Sequence, residues 1–284
     1  MNALITVQLR GLLDALNGAQ RRVAEAILAD PRAAASSTIA ELAALAGVSQ
    51  ASVVRLCQSL GLPGYPELRL ALAAEGGRRG EDGPVGDIAE GDDLASVVRT
   101  MAQLDAQAVR DTADLLDLAT LERAIDALET ARRIDVYGVG ASAIVGADLA
   151  QKLTRIGRVS ISYGDAHLGL TSAALLEPGD VAVAVSHSGA TSDTLDMLRT
   201  AAARGATTIA VTNFPHSPLA TEADHTLVTA ARETVFRAGA TASRLAQLVV
   251  VDCLFVGLAQ RTFTASQAAL EATWLAVRQR PGRP

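Results

Sequence analysis

Apolar and polar positions along the chain fall into two textures. Up to about Glu75 the apolar residues recur at helical spacing in short stretches. The clearest is Thr38–Tyr65, where Ile39, Leu42, Ala43 and Ala46 fall at i, i+3, i+4 and i+7 and predict one buried helix face. Gly47 supplies the backbone freedom that a sharp turn needs, Val48 plugs the corner, and Ser49 predicts the N-cap of a second helix. In that helix Val53, Leu56 and Leu60 point inward, and Gly61 ends it. Glu75–Asp93 (EGGRRGEDGPVGDIAEGDD) is rich in Gly and charge and reads as a linker. Helical spacing then returns from Leu94 to Arg133.

Beyond Arg133 short β-rich runs alternate with longer helical segments. The predicted strands are Ile134–Val139, Val159–Tyr163, Val181–Ser186, Thr208–Thr212 and His225–Thr229. Ala143–Ile156 and Thr191–Arg204 are helical segments between them, and helices near Ala240–Gln260 and Ser266–Arg278 follow. Strands alternating with helices imply βαβ units and a parallel sheet. The predicted fold is an all-α helix-turn-helix head joined to an α/β doubly wound parallel-sheet domain. Expected boundaries are 1–75 for the head, 76–93 for the linker and 94–284 for the α/β part with its flanking helices.

The second helix of the head presents Ser49, Gln50, Ala51, Ser52 and Arg55 near its N-terminal end, with no carboxylate from Gln50 to Leu60. Small, polar and cationic side chains at that end suit entry into a major groove. The plainer reading is an αα-hairpin that packs against something else. Ala43 and Gly47, which permit the close helix approach of a DNA-reading motif, favour DNA.

Two loops follow predicted strands and open predicted helices: Tyr137–Ser142 (YGVGAS) and Val185–Thr194 (VSHSGATSDT). Helix N-termini carry unpaired amides and the positive end of a dipole, so they attract anions, and glycines let the backbone come close. Hydroxyls of Ser142, Ser186, Ser188, Thr191 and Ser192 add hydrogen-bonding groups. Any one of them alone is most simply a helix cap. Together, at the C-terminal ends of neighbouring parallel strands, they outline a ligand crevice. Gly138-x-Gly140-x-x-Ala143 also fits a dinucleotide fingerprint, with Asp165 as the ribose-binding acid, which would make a redox-sensing repressor. That reading leaves the second loop unexplained.

Composition narrows the classes. The chain has 284 residues, with 49% hydrophobic and 20% charged, enough for packed cores. Apolar runs are interrupted by Arg, Asp or Gly before bilayer-spanning length, and no signal-peptide pattern opens the chain, so a cytoplasmic location and no membrane partner are expected. Cys57 and Cys253 lie far apart in apolar helical patterns and read as free thiols. Net charge is −6, yet residues 1–80 hold eight Arg against six Asp and Glu, a surplus of two that leaves −8 for the rest. A basic head on an acidic body suits a DNA reader whose second domain does not touch DNA. No histidine pair has metal-ligand spacing, so neither a metal nor a cofactor is expected.

The whole chain from about Gly18 to Gln260 resembles the RpiR family of transcriptional regulators, whose C-terminal half is a SIS (sugar isomerase) domain. GVSQASVVRLCQSLGLPGYPELR is similar to the family's helix-turn-helix, VYGVGAS and VSHSGATSDT to the two ligand loops of SIS domains, and Ala242–Phe255 to the closing helix that packs subunits. The resemblance implies operator DNA as partner, a sugar-phosphate effector, and a homodimer or homotetramer. It places the phosphate on Ser186, Ser188 and Thr191 with Ser142 nearby; His187 and Gly189 belong to the same loop. Glu233 stands where related isomerases have a catalytic glutamate, but ARETVFRAGA departs from the enzyme pattern, so a ligand contact or a surface position is expected there and no catalytic residue. The competing class is a sugar-phosphate isomerase or lyase, for which Glu233, His187 and His167 would be the acid–base candidates.

Overall fold

The computed structural model describes residues 5–13, 16–78, 88, 91–231 and 241–278. Two compact units divide the chain, Met1–Gln103 and Leu104–Pro284. The first holds α1 (Ile5–Leu12), α2 (Gly18–Ala29), α3 (Pro31–Ser36), α4 (Ile39–Leu45), α5 (Gln50–Ser59) and α6 (Tyr65–Arg78). Their starts are written locally. Asn17 and Asp30 each accept an amide hydrogen bond as N-caps, Pro31 opens α3, and Thr38 with Glu41 forms a capping box. Leu9, Val23, Ile27, Leu42, Val53, Leu56 and Leu68 are fully buried in one core. The Tyr65 hydroxyl donates to the carbonyl of Ser37 at 2.9 Å and fastens α6 to the end of α3. Thr6 donates its amide to Glu75 at 3.1 Å, and its hydroxyl binds the same carboxylate, closing α1 on α6. Glu75, which composition alone assigns to the start of the linker, is therefore a buried part of the head, and α6 continues to Arg78. Most of 76–93 lies outside the described residues.

The helix α7 (Leu94–Leu115) begins among residues of the first unit and ends in the second. Then come α8 (Leu118–Thr130), β1 (Ile134–Tyr137), α9 (Ala141–Arg155), β2 (Ser160–Tyr163), α10 (Ala166–Ala173), β3 (Val181–Val185), α11 (Ser192–Ala203), β4 (Thr207–Thr212), α12 (Pro218–Glu222), β5 (His225–Val228), α13 (Thr241–Arg261) and α14 (Phe263–Arg278). The short helices α10 and α12 carry too few apolar positions for a periodic signal. Their local marks are the caps Asp165 and Ser217 and, in α12, Pro218 at the first position.

The five strands form a parallel sheet in the order β2-β1-β3-β4-β5, with Ile134 beside Ser160 on one side and beside Val181 on the other. Strand β3 (VAVAV) shows how the layers are built. Val181, Val183 and Val185 face α8, α9 and α13, whereas Ala182 and Ala184 lie against α10, α11 and α12. Large side chains fill the first layer, and small ones let the second come close. On that second face Asp135, wholly buried, accepts both Arg133 Nε (2.8 Å) and Ser172 Oγ (2.6 Å), as well as the Tyr137 hydroxyl (3.1 Å). A buried carboxylate needs such partners. The network bolts α10 to β1.

By length and composition α13 could cross a bilayer, against the sequence expectation of no such helix. It instead supplies Val250, Val251, Leu254 and Leu258 to the sheet's core. Two of its charges are engaged: Asp252, midway along, by Lys152 of α9, which also bridges Asp148 (2.6 Å), and Arg261, its last residue, by Asp126 and Glu122 of α8.

Candidate functional site

In the head, α4 and α5 meet at 98°, within the range of helix-turn-helix pairs. Gly47 adopts φ +61° at the turn, and Val48 donates to Ala43 O at 2.9 Å, closing the end of α4. Leu42, Val53, Leu56 and Cys57 are fully buried behind α5, and burial pushes the Cys57 thiol up to about 11. Ser49, Gln50, Ala51 and Arg55 are exposed at the N-terminal end of α5.

Ser52 departs from the expected outward face. It is 3% exposed, because the α5 turn carries it onto the side shared with Val53 and Leu56. Its hydroxyl lies 3.1 Å from Ser49 Oγ and accepts Arg55 Nη2 at 3.0 Å, so it holds the guanidinium. Ser49 occupies the N-cap position, but its side chain makes no cap hydrogen bond there. The amides at the start of α5 are therefore left without a side-chain cap.

In the second unit the strand order reverses on either side of β1, and the chain leaves β1 and β3 at that switch point. Open α/β sheets bind ligands in this crevice. Gly140, the N-cap of α9, has φ +62° and ψ −127°, a conformation that side chains resist. Ser142, in the first turn of α9, is half-buried. After β3, Ser186 is 3% exposed; its Oγ accepts the amide of Gly189 at 3.1 Å and lies 3.1 Å from Thr191 Oγ1. Ser188 is exposed and accepts the amide of Ala190 at 3.2 Å. These hydroxyls shape the loop before any ligand arrives.

The capping pattern is uneven. Among the described helices with a defined N-cap, α2, α3, α4, α8, α10 and α12 have a side chain that accepts an amide hydrogen bond. Helices α5, α9 and α11 do not, although Ser49 and Thr191 sit at two of those positions. These are the three helices that open the candidate DNA and ligand surfaces. Uncapped amides at a helix start are suited to an anion.

A segment that the sequence reading passed over braces the second loop. Asn213 N and Thr212 Oγ1 both donate to the carbonyl of His187, at 3.1 and 3.2 Å. Leu219 N donates to the carbonyl of Gly189 at 3.0 Å. A Cβ on Gly189, whose φ is +62°, would fall 2.0 Å from Ser217 Oγ. The glycine is thus required by the packing of the loop on Ser217. The turn-forming composition of TNFPHSP was the available signal. The His187 ring packs edge-on against Phe214, with centroids 5.5 Å apart, a packing role beside any ligand contact. His167 is exposed in the first turn of α10. Asp165, the ribose-binding acid of the dinucleotide reading, uses its carboxylate to cap α10, accepting Leu168 N at 2.9 Å. Glu233 lies outside the described residues. Among the described residues no group of His, Cys, Asp and Glu is arranged to hold a metal ion.

Comparison with known proteins gives the same two parts. Residues 3–77 match the helix-turn-helix domain of the rpiR family, and residues 127–257 match the SIS domain. An HTH-type transcriptional regulator of Caldanaerobacter subterraneus is 38% identical over 93% of this chain and 94% of its own length. The Vibrio vulnificus NanR protein, complexed with ManNAc-6P, is 33% identical with a TM-score of 0.61, covering 96% of this chain and 97% of its own. The sugar isomerase domain of an RpiR transcription factor from Sphaerobacter thermophilus is 29% identical, with a TM-score of 0.58 over 62% of this chain and 97% of its own. With its helix-turn-helix head, its parallel-sheet SIS domain and relatives alike over nearly their whole length, the chain belongs to the RpiR family of transcriptional regulators.

Proposed function

We propose that this regulator binds operator DNA through α5 and that a phosphosugar in the crevice between 138–142 and 186–191 changes its affinity for that DNA. Residues 1–75 serve as DNA reader and 94–284 as sensor, in a cytoplasmic homodimer or homotetramer. Ser186, Ser188 and Thr191 receive the phosphate together with the uncapped amides of α11. Ser142 and the start of α9 lie across from them, and His187, Gly189 and Glu233 complete the ligand-binding set. The observation that carries the reading is this pairing of two uncapped helix starts with positive-φ glycines at the switch point. That NanR of Vibrio vulnificus is complexed with a phosphosugar supports the same ligand class. Effector and operator prefer different arrangements of the oligomer, so each alters the other's affinity.

The reading is of a sensor without turnover, supported by relatives that are transcriptional regulators. A panel of sugar phosphates, their unphosphorylated sugars and NAD(H) tests it by thermal shift. A cognate sugar phosphate at about one hundred times Kd should stabilise the protein by about 2.7 kcal/mol, and its free sugar much less. Ser188→Ala should weaken binding by about 0.5–1.5 kcal/mol without abolishing it, since the backbone amides remain. NMR of the bound sugar should show neither isomerisation nor phosphate release. Stabilisation by dinucleotides with no response to the sugar-phosphate panel would overturn the assignment.

A further inference from the structure

The second loop is joined to α7 by a run of hydrogen bonds, most of them buried. It starts at the His187 carbonyl, which accepts the amide of Asn213 at 3.1 Å. The Asn213 side chain, in a residue 5% exposed, turns toward the end of β5: its Oδ1 accepts Ala231 N at 2.7 Å and Thr229 Oγ1 at 3.3 Å. The neighbouring amide, Ala230 N, donates to Thr112 Oγ1 at 3.0 Å. Thr112 is wholly buried in the last turns of α7 and passes its own hydroxyl hydrogen to Ala108 O at 2.7 Å. The same helix continues back to Leu94, among residues of the unit that carries the helix-turn-helix.

The links from Asn213 to Ala231 and Thr229, from Ala230 to Thr112 and from Thr112 to Ala108 are all buried. The Ala230 amide is an obligatory donor at a site 6% exposed, and Thr112 is its acceptor. A shift in the carbonyl of His187 must therefore be answered by Asn213, and a shift of Ala230 and Ala231 by α7. A valine at 112 would fill the same space, so packing alone does not call for the hydroxyl. Coupling between distant sites travels through contiguous contacts of this kind.

We infer that Asn213 and Thr112 are the positioning residues through which occupancy of the Ser186–Thr191 loop reaches α7. This rests on the phosphate-binding reading of that loop and names the residues that tie it to α7.

Amide hydrogen exchange on the full chain tests the route, with inorganic phosphate as the probe. In the wild type, phosphate should slow exchange at Gly189 and Ala190 and also at Ala230, Ala231 and Leu116. Thr112→Val should keep the protection at Gly189 and lose it at Leu116, and it should speed exchange of the Ala230 amide by roughly fivefold to tenfold, the ratio expected for one lost buried hydrogen bond. Thr112→Ser, which keeps the hydroxyl, should restore the wild-type pattern. Protection confined to the loop in the wild type would overturn the relay and leave the site standing. So would a Thr112→Val protein that still transmits protection to Leu116. No protection at Gly189 itself would overturn the site and the relay together. If Thr112→Val does not fold, the wild-type and Thr112→Ser responses at Leu116 decide the matter.

Discussion

Gly189→Ala offers the sharpest test of how the second loop is held. Gly140 and Gly189 share φ +62°, but their surroundings differ. A Cβ on Gly140 meets nothing within 4 Å, whereas one on Gly189 would lie 2.0 and 2.5 Å from Ser217 Oγ and Cβ and 2.8 Å from Thr212 Oγ1. Backbone strain alone should therefore make Gly140→Ala cost about 1–3 kcal/mol. Gly189→Ala carries a similar strain and must also displace Ser217, a buried N-cap whose Oγ accepts Ala220 N at 3.3 Å. Overpacking of about 1–3 kcal/mol brings the expected loss to roughly 2–6 kcal/mol. The single tryptophan, Trp274 on α14, reports on the second unit, so urea unfolding followed by its fluorescence isolates the effect. Combining Gly189→Ala with Ser217→Gly removes the two nearest atoms and leaves only Thr212 Oγ1, at 2.8 Å, to give way, and glycine is only slightly poorer at an N-cap. The double variant should recover most of the difference from Gly140→Ala, short of it by the residual contact with Thr212 Oγ1. Equal losses for Gly189→Ala and Gly140→Ala, or no recovery in the double variant, would refute the argument that Ser217 sets the loop's shape.

Two further outcomes follow from particular contacts. On the duplex that the wild-type chain selects from a random-sequence library, Arg55→Ala should lose about 1–3 kcal/mol if Arg55 reads a base, and Ser52→Ala should lose less, because it removes only the hydroxyl that steadies the guanidinium; unchanged binding of Arg55→Ala in a gel-shift titration would show that α5 is docked wrongly. Hydrogen bonds from Thr120 to Asp117, the N-cap of α8, hold its carboxyl below the ordinary aspartate value of 3.8. A carboxyl lowered in the folded state stabilises fully above its unfolded pKa and stops doing so as pH falls through the lower, folded value. Asp117→Asn, also a good cap, should leave stability at pH 7 nearly unchanged and flatten the loss of stability below about pH 4; an unaltered acid limb in pH-dependent urea melts would count against the cap's charge.

The sequence by itself determined the elements that local spacing can encode and the hydroxyl- and glycine-rich loops between them. Ile39, Leu42, Ala43 and Ala46 marked α4, Gly47 its end, and Val53 and Leu56 the buried side of α5, because helical period and turn conformation are properties of neighbouring residues. VAVAV marked a strand buried on both faces, and the serines, threonines and glycines after β1 and β3 marked loops suited to an anion. Only the tertiary structure decided what those groups touch. Ser52 turned inward to hold Arg55, Asp165 went to capping α10, and Gly189 answered to Ser217, twenty-eight residues away. Asn213 and Thr112 were invisible for the same reason: an amide and a hydroxyl have no periodic signature, and their partners, His187, Ala231 and Ala230, are brought to them by the order of strands in the sheet. Local patterns fix which way a residue's own turn or strand faces. Which distant donor fills its remaining hydrogen bond is set by packing, and that belongs to the whole fold.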